Sequence, residues 1–356
     1  MPSSSLLPEP ARRLAAWCVV VLLVTGVAAV GVWLCIVFKA AVTPVLLALL
    51  GTALLGPLHR RLVRMKVNPS LAAALTCLAV LAVAGGATYI VVSALLNTGD
   101  QIISALRRAG EDLAEHFGAA GTSLEDLASN AKELLAKFGG TAASGVIAGL
   151  SVVAEVMAMA ALALLLMFFF LRDAQRVAEA LHGLGPRGRG EVVEAMARRA
   201  FDAVEGFMRG TTFIALIDAV LITVGLLVLQ VPGAVGLGAL VFLGAYIPYL
   251  GAFLSGALAV LVAFADRGWV IGLWVVALVV AVQLVEGHFL QPVIQSRTVQ
   301  MHPAVVMLAI TAGASVAGIL GMLLSVPLAA AAFGMVSELR ARRPGSRRGE
   351  RPEQDE

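Results

Sequence analysis

The sequence is poor in charged and aromatic residues. Asp, Glu, Lys and Arg make up 14% of its 356 residues, and Phe, Trp and Tyr make up 6%. Soluble domains carry about 25% charged residues, because a folded chain keeps a large surface in water. Here 60% of the residues are hydrophobic, and the mean hydropathy is +0.92. This composition excludes an ordinary soluble domain and indicates a protein that folds in lipid.

Sequence signals for common enzyme and nucleotide sites are also missing. The three cysteines, Cys18, Cys35 and Cys77, lie in apolar runs without metal-ligand spacing, and no GxxxxGK[ST] phosphate loop occurs. We therefore expect no enzymatic activity, no metal and no cofactor. The net charge of +3 is small, and basic residues flank the apolar runs, which is typical of membrane topology rather than nucleic-acid binding.

Long apolar runs recur along the chain. The runs at 14–38, 40–58, 71–96, 142–171 and 211–231 approach or exceed the roughly 20 residues that cross a bilayer as a helix. Backbone groups in lipid must form internal hydrogen bonds, so these runs should be helical. We predict an all-α, polytopic membrane helical bundle in which residues 1–96 form three spans and residues 144–171 form another.

Two internal segments are too polar to lie in the membrane. Residues 97–143 are acidic but keep apolar residues at helical spacing, which predicts external amphipathic helices with a turn at 118–121. Residues 172–209 carry seven arginines and are predicted to be cytoplasmic. The basic tail, 337–356, is predicted to be disordered and cytoplasmic. The N-terminus then also lies in the cytoplasm, and the chain belongs to the inner or plasma membrane.

The C-terminal region, 210–336, contains two interrupted apolar stretches. Each is shorter than the roughly 40 residues that two full spans require. We predict two re-entrant helical hairpins that enter from opposite faces, and bent, fully spanning hairpins are the alternative. Freed backbone groups at such breaks bind ions or polar solutes. The predicted breaks lie at Pro248 and Gly251, at Pro292, and at Gly318, Gly321 and Pro327.

Four polar residues lie in or beside apolar runs: Asp218, Glu286, Gln283 and Glu155. A charge at bilayer depth costs at least roughly 2.5–3.5 kcal/mol and usually marks a pathway. Gln283 and Glu286 are three residues apart and should share a helix face. We predict that these four residues act in transport or coupling. The alternative is a structural role as polar partners within the bundle, and for Glu286 a pairing with His288.

Several short motifs occur together along the chain: Phe169-Phe170-Leu171-Arg172-Asp173, Tyr246-Ile247-Pro248-Tyr249-Leu250-Gly251, Glu286, Gln291-Pro292-Val293-Ile294, His302-Pro303 and Gly318-Ile319-Leu320-Gly321. In this order they resemble the autoinducer-2 exporter family of bacterial permeases. Gly287 and His288 differ from that family, in which many members carry asparagines. The resemblance implies a homo-oligomeric secondary transporter that exports a small solute such as autoinducer-2 or exchanges sodium or lithium for protons.

Two other functions are compatible with the sequence. A channel-like pore would conduct its solute without coupling to an ion gradient. A membrane scaffold would use the acidic external segment to organise other envelope proteins. The intramembrane acids and the paired broken hairpins favour transport over a scaffold.

The predicted topology can be tested by labelling single cysteines after the three native cysteines are replaced. We expect Asp126→Cys to react with a membrane-impermeant maleimide from outside intact cells, because residues 97–143 are predicted to be external. Asp202→Cys should react only after the membrane is opened. Labelling of Asp126→Cys only from the cytoplasmic side would contradict the topology.

Overall fold

The chain is helical throughout the regions that the computed structural model describes, which are residues 9–117, 142–183, 190–248, 250–295 and 301–342. No β-strand occurs in these ranges. A π-helical turn, Glu286–Leu290, follows the eighth helix. The helices are α1 (Glu9–Val37), α2 (Lys39–Arg64), α3 (Pro69–Phe117), α4 (Ala142–Arg172), α5 (Ala174–Gly183), α6 (Gly190–Val228), α7 (Ala234–Gly244), α8 (Leu250–Val285), α9 (Gln291–Gln295) and α10 (Pro303–Ala341).

Six helices in the described residues are long and apolar enough to cross a membrane. Many of their large hydrophobic side chains point outward, among them Trp274, which is 62% exposed, and Leu328, which is 46% exposed. Exposed apolar surface on this scale requires lipid or a partner. The structure thus supports the prediction of a polytopic helical bundle. The apolar segments are α2, 69–94 of α3, 154–172 of α4, α6, 251–294 and α10.

Helix α6 is the central element of the bundle and contacts six other helices and the π turn; the helices are α2, α5, α7, α8, α9 and α10. Its buried Leu226 packs with Val262 and Val275 of α8 in the largest apolar cluster. Its Met208 joins Leu50 of α2 and Leu324 of α10 in another cluster. Small residues and glycines permit close helix contacts in a bundle where lipid removes the hydrophobic driving force between helices. The side chains of α6 therefore sit where most of the chain converges.

The start of the chain differs from the predicted hairpin of two spans. A single residue, Phe38, separates α1 from α2. The side chains of α1 that are described, between Ala16 and Val37, are exposed. Two antiparallel spans would bury a shared face along their length. The helices α1 and α2 therefore do not pack along each other in this chain.

Two predicted boundaries between membrane and polar segments do not interrupt the helices. Helix α3 continues from Pro69 to Phe117, so the first part of the 97–143 segment extends the third span. Helix α6 likewise joins the predicted cytoplasmic segment to the span that follows it. Amphipathic and apolar helices share the same backbone geometry, so a change of solvent need not end a helix. The predicted turn at 118–121 lies outside the described residues.

Interrupted helices form the C-terminal half, as predicted. Helix α7 has 11 residues, about half of a membrane span at about 1.5 Å per residue. The chain then turns at residues 245–248, where Pro248 lies, and enters α8. Gly251 lies in the first turn of α8 and packs against Gly244 across that turn. A further break at Gly268, with φ of 79°, was not predicted and divides α8 into two arms that pack together.

Helix α10 is broken at Ala317 and Gly318, where φ and ψ leave the helical region. Gly313 and Gly321 approach each other closely across this break, so the two arms of α10 form a hairpin. The backbone stays helical at Pro327, which lies in the second arm, so the break predicted there is wrong. The lost N–H of a proline is tolerated in membrane helices when neighbouring groups compensate. That the hairpins are re-entrant stays a prediction.

Substitution of Gly251 tests the close contact that shapes the first hairpin. A side chain at 251 would overlap the carbonyl oxygen of Gly244. We expect Gly251→Val to lower stability by about 1–3 kcal/mol through overpacking, measured by thermal unfolding of the purified protein. Gly85→Val is the control, because open space surrounds Gly85. Equal stability of the two variants would contradict the contact.

Candidate functional site

Asp218 lies on the buried face of α6 and is only 5% exposed. The same face includes Thr211, Ala215 and Ile222, which are also buried and follow at helical spacing. Two polar atoms on this face, Asp218 Oδ1 and Thr211 Oγ1, are buried and have no hydrogen-bond partner among the described residues. Buried polar atoms are normally paired, so this face of α6 is a candidate binding surface.

The Glu286 carboxyl faces Asp218 at hydrogen-bonding range. Glu286 is half-buried, and its Oε1 accepts a hydrogen bond of 3.2 Å from Nε2 of Gln291. No described Lys or Arg forms an ion pair with either carboxyl. The structure therefore brings together two acids that the sequence singled out separately, and it adds an amide to them.

The Glu286 side chain is positioned by a π-helical turn. The Gln291 N–H donates to the Glu286 carbonyl, which is the i to i−5 bond of a π-helix. Pro292 has no N–H, so the His288 carbonyl lacks the donor that an α-helix would supply. Such turns are rare and often occur at functional sites. Sequence reasoning missed this turn, although the proline four residues after His288 was its signal.

The other two predicted residues lie away from this pair. Gln283, near the end of α8, is exposed, whereas the preceding residue, Val282, is buried. Glu155, on α4, is exposed as well. That Gln283 shares a functional face with Glu286 stays a prediction. Gln291 occupies the place beside Glu286 because the wider π turn changes which side chains share a face.

The turn between α7 and α8 approaches the same stretch of α6. The Tyr246 hydroxyl and Thr212 Oγ1 are hydrogen-bonded at 2.9 Å. Thr212 lies six residues before Asp218, about 9 Å along the helix at about 1.5 Å per residue. The interruption at 245–248 is thus close to the acid pair.

The break in α10 lies at a similar level. The second arm of α10 runs antiparallel to α6, with Gly334 against Arg199 and Ala203, and Leu324 beside Met208. At equal rise per residue, this register places Ala317 and Gly318 level with about residues 214–218 of α6. Three interruptions, at 245–248, 286–290 and 317–318, therefore surround one short stretch of α6 that contains Asp218.

The groups gathered there are mainly oxygen donors. The carboxylates, the threonine hydroxyl and the carbonyls freed at helix breaks suit a hard monovalent cation, and the carboxylates can also carry a proton. Two carboxylates in contact repel each other unless a proton or a cation lies between them. Within the described ranges there is no cluster of three His, Cys, Asp or Glu side chains that would hold a transition metal.

Comparison with known proteins gives one family. Its sequence model, described as AI-2E family transporter, matches residues 18–341. The "Putative transport protein MT0215" of Mycobacterium tuberculosis is 33% identical over 90% of this chain and 88% of its own length. The "AI-2 transport protein TqsA" of Escherichia coli is 33% identical over 38% of this chain and 40% of its own length. These relatives are named for transport.

Two acids on α6 allow a test of the carboxyl pair. Asn at 218 keeps the shape of Asp218, removes the repulsion with Glu286 and supplies an N–H donor to it. We expect Asp218→Asn to melt at or above the wild-type temperature in detergent. Glu205→Gln should lower the free energy of unfolding by about 1 kcal/mol and so lower the melting temperature. The reason is that Glu205 accepts a 2.6 Å hydrogen bond from Arg60 and also pairs with Arg209. A larger loss for Asp218→Asn would argue against the repulsive pair.

Proposed function

Because the chain belongs to the AI-2E family of transporters, we propose that it is a secondary transporter whose flux is coupled to protons or monovalent cations at the Asp218–Glu286 pair. The single observation that carries this proposal is the buried carboxyl of Asp218 facing the half-buried carboxyl of Glu286, with no cationic partner for either among the described residues. A structural acid in a membrane bundle is normally paired with a base or with hydrogen-bond donors. An acid pair without a base is suited to a mobile positive charge.

The interruptions around Asp218 support a change of conformation at the same place. Gly318, with φ of 59°, and the turn at 245–248 are positions at which the backbone can rotate without breaking a continuous helix. A proton or cation would bias this movement only if it binds one conformation more tightly than the other. In this proposal the two conformations differ in the distance between the carboxyl on α6 and the carboxyl on the π turn, and therefore in their affinity for the ion.

The transported solute is one of two kinds in this proposal. One is a small polar solute such as autoinducer-2, as the printed name of the E. coli relative suggests. The other is a monovalent cation exchanged for protons. The carboxyl pair favours the second, because a cation or a proton between the two carboxylates would offset their repulsion.

The membrane setting and assembly are part of the same proposal. We place the transporter in the inner membrane with cytoplasmic termini, acting as a homo-oligomer. The described side chains of α1 are exposed, and they support assembly because such a helix gains packing from another copy.

Reconstitution into liposomes tests the coupling directly. With an imposed sodium or lithium gradient, wild-type protein should change the internal pH, read by an enclosed pH-sensitive dye. Asp218→Asn and Glu286→Gln keep the shape of each side chain but remove its titrating group. We expect at least one of them to abolish the flux, while Asp266→Asn, an exposed acid beside Arg267, keeps it.

Three results would count against the proposal. Wild-type flux in both variants would reduce the pair to structural partners and make Glu155 the next candidate. A solute flux whose rate does not change with any imposed ion gradient would identify a pore. An absence of flux for any solute, together with retention of other envelope proteins, would identify a scaffold.

A further inference from the structure

A cavity of about 700 Å³ lies between α2, the α4–α5 junction, α6 and α10. It occupies the part of α6 before residue 204 and is therefore separate from the Asp218 pair, which lies about 21 Å further along the helix at about 1.5 Å per residue. Most of its wall is aliphatic or aromatic, including Leu50, Phe170 and Phe201. A cavity of this size and lining accommodates hydrocarbon.

The charged residues of the cavity are confined to one end. Arg60 on α2 and Glu194 and Arg198 on α6 lie at that end, and apolar residues such as Leu46 line the other. Leu46 and Arg60 are 14 residues apart on one helix, which corresponds to about 21 Å. The cavity is therefore amphipathic along its length and matches a ligand with a long apolar part and a charged head.

The cavity opens in two directions. Leu49 on α2 is 37% exposed and Leu328 on α10 is 46% exposed, and both side chains line the wall within apolar spans. Val177, on α5 at the charged end, is 40% exposed. A ligand can therefore enter sideways between α2 and α10 while its head remains at the membrane surface.

Arginine predominates around the charged end. Asp173 accepts hydrogen bonds from Arg172, which lower the pKa of that carboxyl, and the ion pair keeps it charged. Within the ion pairs at this end, arginines outnumber carboxylates. The ion pairs there involve five arginines and three carboxylates: Arg60, Arg172, Arg176, Arg198 and Arg209 with Asp173, Glu194 and Glu205.

His59 gives a second, independent indication of a ligand. Its side chain lines the cavity, is only 9% exposed, and its Nδ1 has no hydrogen-bond partner among the described residues. A buried ring nitrogen without a partner is costly unless a ligand or water supplies one. An ester or hydroxyl group below an anionic head would lie near this depth.

We propose that this cavity binds an anionic phospholipid, with an acyl chain between α2 and α10 and the phosphate at Arg60 and Arg198. Basic pockets between membrane helices on the cytoplasmic side recognise anionic lipid heads in this way. A polyhydroxylated solute fits poorly, because apolar walls leave its hydroxyl groups without partners. The inference does not depend on the proposed transport function.

Lipid titration of the full-length protein in a neutral detergent tests the proposal. Phosphatidylglycerol should raise the melting temperature, and native mass spectrometry should detect the bound lipid, whereas phosphatidylcholine should have little effect. Arg198→Gln removes a head-group contact and should weaken phosphatidylglycerol binding about tenfold. Ala331→Phe fills the cavity wall and should abolish binding. The two changes act on different ends, so either variant that folds provides a test.

Matched controls stand next to each change in the chain. Arg199→Gln removes the same charge from an exposed position outside the cavity, and Ala332→Phe adds the same ring on an exposed position of α10. Both should bind phosphatidylglycerol like the wild type. Equal effects of the two lipids, wild-type affinity in the cavity variants, or equal stabilisation by soluble glycerol phosphate would overturn the proposal.

Discussion

Every backbone N–H and C=O in a bilayer must find a partner within the protein or in enclosed water. This constraint governs the C-terminal half of the chain, where the turn at 245–248, the π turn at 286–290 and the break at 317–318 all leave such groups free. The turn at 245–248 contacts the stretch of α6 between Thr212 and Asp218 through Tyr246, and the π turn meets it through Glu286. The register of α10 on α6 places the third break at the same level. Helix α6, which contacts six other helices and the π turn, is the element on which the three interruptions converge.

The two carboxyls of the acid pair lie on different kinds of backbone. Asp218 is held on a continuous helix, and Glu286 on a turn whose geometry depends on Pro292 and on the Gln291 hydrogen bond to it. One carboxyl is thus on a rigid support and the other on an irregular one. A change in the charge between them would alter the packing of the π turn against α6, which is how a local electrostatic event becomes a movement of whole helices.

Some of this arrangement could be predicted from residues considered one at a time. Asp218 is a lone acid in an uncharged run, and Pro248 and Gly318 interrupt apolar stretches, so the sequence indicated both the acid and two of the breaks. Contacts between distant segments could not be predicted. The contact of Glu286 with Asp218 and the register of α10 on α6 join residues far apart in the chain, so no local sequence pattern indicates them. Gly268 was not named among the breaks, although Asp266 and Arg267 beside it interrupt the apolar run. The choice of Gln283 over Gln291 assumed a regular α-helix through residue 291.

In the proposed mechanism Asp218 and Glu286 share one proton or one monovalent cation, and competition between the two ions tests this sharing. Purified protein in weakly buffered detergent solution would receive sodium or lithium while the pH is recorded. Wild-type protein should release protons on cation addition, whereas Asp218→Asn and Glu286→Gln should release none. Proton release from both variants equal to that of the wild type, or none from any of the three proteins, would contradict it.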